Sequence, residues 1–114
     1  MIAGDIVEAL PCVAGDVPRD QHLAVQNSWV LNYLPEAARV RLMAALAEIG
    51  SRRDLSWVSI ESPELAPGLE VPRRPDGAEE SGASVAVLST WRDGRKEVRR
   101  LADCHPHGTW VRWW

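Results

Sequence analysis

The sequence contains no phenylalanine, one tyrosine and two cysteines among 114 residues, and it has neither an excess of basic charge nor a long apolar run. Each of these absences excludes something. Two cysteines, Cys12 and Cys104, make no disulfide framework and read as free thiols in a reducing compartment. A net charge of -3 lacks the basic footprint with which a nucleic-acid binder neutralises phosphates, so nucleic acid is not an expected partner. No segment approaches the roughly 20 apolar residues that a membrane span needs. The amino-terminal stretch also lacks the basic region and apolar core of a signal peptide, so the expected location is the cytoplasm, away from the membrane. What stands in place of phenylalanine is tryptophan: six residues, of which Trp110, Trp113 and Trp114 fall in the last five positions. With 46% hydrophobic and 25% charged residues, the composition suits one soluble globular domain over residues 1–114.

The stretch from His22 to Leu34, HLAVQNSWVLNYL, organises the rest. It reads as a short apolar strand, Leu23 to Gln26, that ends in a polar turn and feeds a helix. Pro35 suits the first turn of that helix, Glu36 complements its positive end, and Gly50 is the expected C-cap. Between them Ala38, Leu42, Ala45, Leu46 and Ile49 recur at helical spacing, with Arg41, Glu48 and Arg52 off the stripe. Leu55 to Ile60 is a second strand, rich in β-branched and aromatic residues and closed by Glu61-Ser62-Pro63. Two strands joined by a helix of about four turns assemble as a parallel crossover unit.

Upstream, Asp5 caps a helical turn carrying Ile6, Val7 and Leu10, which Pro11 and Gly15 are expected to keep short. Residues 16 to 20 read as a surface loop. Downstream, residues 63–83 form the expected long exposed loop, since Pro63 to Gly82 holds four Pro, three Gly and five acidic residues. A third strand, Ser84 to Trp91, then turns at Asp93-Gly94 into a fourth, near Glu97 to Cys104, as an antiparallel hairpin. After His105-Pro106-His107-Gly108, Thr109 to Trp114 adds a further short strand. A sheet of four or five strands with one long helix leaves a face or an edge uncovered, which points to a homo-oligomer or to pairing with a missing amino-terminal half.

Four constellations bear on chemistry, each with a structural rival. Asp103, Cys104, His105 and His107 put four metal-ligand types within five residues, but zinc sites draw ligands from separated places, and His22 has no second ligand beside it. A Pro-Gly turn with locally bonded imidazoles is the preferred reading, and no metal is expected. Cys104 beside His105 suggests a thiolate nucleophile, but neighbours on a strand face opposite ways. Gln26, Asn27 and Ser28 stand where the first strand ends, and Glu61 belongs to the same rim. Ligands of open parallel sheets bind beyond the carboxyl ends of the strands, although such groups also satisfy backbone there. The three carboxyl-terminal tryptophans make either a stacking platform or an interface anchor; alternation along a strand sends at least one side into the core, and core is the preferred reading.

The segment Asn27-Ser28-Trp29-Val30-Leu31-Asn32-Tyr33-Leu34-Pro35, followed by a long helix and a strand ending in Glu61-Ser62-Pro63, resembles the fourth-strand to fifth-strand region of Rossmann-like S-adenosylmethionine-dependent methyltransferases. The terminal hairpin is similar to the last antiparallel strands of that fold. More narrowly, Gly4-Asp5, HLAVQNSWVLNYLP and the ending Cys104-His105-Pro106-His107-Gly108-Thr109-Trp110-Val111-Arg112-Trp113 resemble the carboxyl-terminal half of the bacterial family catalogued as domain of unknown function 2332. The resemblance covers nearly the whole chain, and its HPHGxWxxW ending is the most specific part. It implies the carboxyl-terminal half of a Rossmann-like methyltransferase sheet. It also implies that Asp5 contacts the adenine of S-adenosylmethionine, and that Gln26, Asn27 and Ser28 line the cofactor and substrate crevice. No glycine-rich strand-to-helix turn precedes Gly4, so the chain looks like a fragment of a larger methyltransferase-like domain that does not bind the cofactor alone. A non-catalytic binding or assembly module using the Trp-rich end is the alternative.

Overall fold

The computed structural model describes residues 3–68 and 82–114. Within them lie helix α1 (Ile6–Asp16), strand β1 (Leu23–Ser28), helix α2 (Glu36–Arg52) and strand β2 (Leu55–Glu61). The strands β3 (Ser84–Arg92), β4 (Arg95–Cys104) and β5 (Val111–Trp113) follow, and short 3-10 turns sit at Leu31–Tyr33 and Pro63–Leu65. The fold is therefore mixed α/β. Its five strands lie side by side in chain order, β1 parallel to β2 and every later neighbour antiparallel.

The expected crossover is present. Ala38, Leu42 and Leu46 of α2 are buried, and they meet Leu23, Leu55, Trp57 and Trp91 on one face of the sheet. Each leucine withdrawn from water contributes on the order of 2 kcal/mol, which is why the stripe at helical spacing fixes which side of α2 faces inward. The chain enters α2 through Pro35, whose carbonyl accepts from the Ala38 and Arg39 amides.

Gly50 does not end α2. The helix continues to Arg52, and Gly50 is buried against Trp91, where an added Cβ would lie 2.2 Å from Trp91 Cγ. A glycine in a C-cap position thus serves instead as the point of closest approach between helix and sheet. Helix α1 is likewise longer than expected. It runs 11 residues straight through Pro11 and Gly15, because Asp5 caps it by accepting from the Val7 amide at 2.8 Å while Val7 and Ala14 bury against the core. Packing outweighs the one backbone hydrogen bond that Pro11 cannot donate.

Arg53 fixes the lower end of α1. Its guanidinium donates to the carbonyls of Ala14, Val17, Pro18 and Gln21 at 2.7–3.2 Å. A cation placed on helix carbonyls that lack an intrahelical partner is the favourable sign for that terminus.

The hairpin of β3 and β4 turns at Asp93 (φ 49) and Gly94 (φ 74), the two left-handed residues that a two-residue hairpin turn of matching twist demands. A register shift at Ala86/Val87 adds one residue to β4. Part of the expected exposed loop is not exposed. Ala66 and Pro67 are buried, and Ala66 packs with Val85, Val87 and Val98, extending the helix-side core across β3 and β4. The remainder of that loop, residues 69–81, lies outside the described residues. No helix among the described residues is long and apolar enough to cross a membrane.

Candidate functional site

Parallel pairing sets the carboxyl ends of β1 and β2 side by side, with Asn27 opposite Ser59 and Ser28 opposite Ile60. Along β2 the residues Leu55, Trp57, Ser59 and Glu61 alternate onto the helix side and are buried, and Asn27 faces the same way at 6% exposure. Period-two alternation therefore carries a carboxylate and an amide into the interior.

They satisfy one another. Asn27 Oδ1 accepts from Trp57 Nε1 at 2.6 Å, and Asn27 Nδ2 donates to Ser59 Oγ at 3.1 Å and to Glu61 Oε1 at 2.7 Å. Glu61 Oε1 also accepts from the backbone amides of Val30 and Leu31, at 2.8 and 3.0 Å. A fully buried glutamate thus pins the loop that leaves β1, and three donors around one oxygen replace the water that burial removed. Its other oxygen is different: Oε2 is buried with no hydrogen-bond partner among the described residues. An orphaned buried acceptor costs about 1–3 kcal/mol and calls for an explanation.

The loop above it is strained. Trp29 adopts φ 56, in the left-handed region that a bulky side chain rarely enters. Its amide donates to Ile60 O at 2.9 Å and its indole Nε1 to Ser84 Oγ at 3.0 Å, so the residue is held across the ends of β1, β2 and β3. Arg39 secures the far side of the same turn by donating to Leu34 O at 2.9 Å.

The residues singled out from the sequence are distributed unevenly around this network. Asn27 and Glu61 are brought together within it. Gln26 and Ser28 are exposed on the opposite face of β1. Asp5 is exposed at the N-terminus of α1, an 11-residue helix that carries it about 16 Å from the Arg53 anchor, and no hydrogen bond among the described residues joins it to Gln26, Asn27 or Ser28. Trp29 and Trp57 were not anticipated as site residues. Alternation from Leu55 predicts the inward position of Trp57 and Glu61, whereas a left-handed tryptophan has no sequence signal.

At the other end of the chain the metal-ligand types are engaged separately. Asp103 pairs with Arg100 and accepts from Trp114 Nε1 at 3.1 Å. The buried Cys104 thiol donates to Ser84 O at 3.7 Å, and burial, reinforced by the neighbouring Asp103 charge, pushes its pKa up. A raised pKa lowers the thiolate fraction, the opposite of what a nucleophile needs. His105 Nδ1 accepts from the His107 amide at 3.1 Å, and its ring meets Trp110 edge-on at 6.3 Å. Among the described residues no three His, Cys, Asp or Glu side chains converge as metal ligands.

The carboxyl-terminal tryptophans are not core. Trp113 is 72% and Trp114 52% exposed, because β5 is a three-residue strand at the edge of the sheet among the described residues, and the buried indoles are those of Trp57 and Trp91. Arg100 lies over the Trp114 ring at 4.0 Å.

A cavity of about 160 Å³ opens between the carboxyl-terminal ends of α1 and α2, lined by residues that include Ala14, Arg19, Ile49, Arg52 and Arg53. Its cations are committed to structure: Arg53 to four carbonyls, Arg19 to Arg52 O at 2.9 Å, and Arg52 to Glu48 at 2.6 Å. Two negative helix ends meet there and these arginines neutralise them.

The fold and the strand-end network define a small mixed α/β domain with one parallel crossover and a buried carboxylate at the carboxyl ends of its parallel strands. The profile of the family described as "Uncharacterized protein conserved in bacteria (DUF2332)" matches residues 1–113, and the chain belongs to that family. No curated protein and no solved structure matches it.

Proposed function

We propose that the chain is a methyltransferase-like α/β unit of the Rossmann-like type, and that it contributes one wall of an S-adenosylmethionine site at the carboxyl ends of β1 and β2. The observation that carries this reading is the unpartnered Glu61 Oε2 beneath the strained Trp29 loop, at the rim where parallel sheets bind their ligands. In this reading Asp5 meets the adenine and the Gln26 to Ser28 end of β1 lines the crevice, Asn27 acting through its hold on Glu61. Strand β1 supports it further. It is a parallel strand with a neighbour on one side only among the described residues, and its unpaired edge offers backbone N-H and C=O groups to which further strands of a larger sheet would join. The site is therefore completed by strands added along that edge, and the unit works in the cytoplasm with both thiols reduced.

Isothermal titration of S-adenosylhomocysteine into the purified chain, into Asp5→Ala and into Glu61→Gln tests it. Heat of binding in the parent that Asp5→Ala abolishes and Glu61→Gln weakens supports the reading and would show that this wall holds ligand before added strands complete the site. Silence from a folded sample at millimolar ligand overturns the reading for this chain and moves forward a second one, a non-catalytic assembly module. What favours that second reading is the exposure of Trp113 and Val111 on the edge strand.

A further inference from the structure

Both helices, and the Ala66 segment, pack on one side of the sheet. The pairing register assigns the other side. Because Trp91 meets α2, its in-register neighbours Leu55 and Lys96 share the helix side, and residues one step away face outward. Ile60, Val58 and Leu88 form the apolar centre of that outward face, Val111 and Trp113 extend it onto the edge strand, and Glu97 and Arg99 lie across from Thr90 and Leu88. No helix among the described residues covers it.

We propose that this face is the interface for a second copy of the same chain. Two observations select a second copy. First, Glu97 and Arg99 are exposed two residues apart on one strand and one face, and neither forms an ion pair among the described residues. A surface carrying both signs around an apolar centre is complementary to itself when a twofold axis brings it against its own image. Second, Trp113 and Val111 are 72% and 52% exposed and by register face the same way as that centre, beyond the buried Ala86 and Ala102, and an exposed tryptophan beside a β-branched residue is the composition of an interface anchor. The inference gives the assembly reading its partner and does not depend on cofactor binding.

The test is light scattering with size-exclusion chromatography on the full chain from about 5 to 500 µM, with the charge exchanges Glu97→Arg and Arg99→Glu. The parent is expected at twice the mass of one chain. Each exchange alone, checked for folding by circular dichroism, is expected to run at the mass of one chain, and an equimolar mixture of the two is expected to recover the doubled mass. A parent that stays at single-chain mass throughout overturns the proposal. So does a doubled mass that both exchanges leave intact, which would put the contact elsewhere, for instance along β1. A mixture that fails to recover overturns the Glu97–Arg99 pairing on which the choice of a second copy rests. None of these outcomes bears on S-adenosylhomocysteine binding, so the two proposals fail separately.

Discussion

Asn27 holds three groups at once: the Trp57 indole, the Ser59 hydroxyl and the Glu61 carboxylate. Truncating it leaves a buried indole N-H without an acceptor and strips Glu61 of one of three donors, so Asn27→Ala is expected to cost about 3 kcal/mol. Urea unfolding followed by tryptophan fluorescence would measure this, and a loss below about 1 kcal/mol would mean that water substitutes for the amide. The cysteines differ in kind. Cys12 is exposed and Cys104 buried with a raised pKa, so at pH 8 a thiol reagent such as Ellman's should label one thiol of the native chain quickly and the other only on unfolding. The same shift has a pH consequence. Above the ordinary thiol pKa the unfolded chain releases the Cys104 proton while the folded chain retains it, so stability falls as pH rises past about 9, and it is unaffected by this group below that point. Replacing Cys104 with alanine should flatten that alkaline decline in melting temperature. At this scale the sequence is readable where periodicity governs. Alternation from Leu55 dictates that Glu61 points inward, but which donors meet it depends on how the Val30-Leu31 turn folds back, and the left-handed conformation of Trp29 is imposed by that turn and not by its own preference.

Helix α2 and the first two strands follow from local pattern because stripe and alternation each bury one face. The errors concern glycine and proline, whose local meaning tertiary packing can override. Gly50 looks like a stop signal, yet the Trp91 ring occupies the space a side chain would need. Gly50→Ala is accordingly expected to destabilise by about 2 kcal/mol through overpacking, although alanine is the better helix former. A stabilising outcome in thermal melts would show that α2 and Trp91 move apart freely. Pro11 offers the opposite case. It is exposed in the interior of α1, where it lacks the amide that would bond to Val7 O, so Pro11→Ala is expected to stabilise by about 2 kcal/mol. The carboxyl-terminal end of α1 tethers to a distant group, Arg53, and a contact between residues 14 and 53 leaves no trace in local composition.

For the whole molecule, the α/β class, the crossover and the Asp93-Gly94 hairpin are legible because each rests on a short-range signal, whereas the order of the five strands is not. The sheet's arrangement in chain order has a kinetic meaning. Strands β3, β4 and β5 are joined by a two-residue turn and a short loop, so they can close within microseconds of one another once the hairpin forms. Strand β1 reaches its one partner among the described residues across the whole of α2, Leu23 coming to rest beside Leu55. Loop-closure entropy must be met before that contact contributes, which makes β1 the last strand to join and the first to leave. A Leu23→Ala change should then accelerate unfolding in stopped-flow experiments while leaving the refolding rate nearly unaltered. The parallel edge that frames the candidate site would open more often than the rest of the sheet.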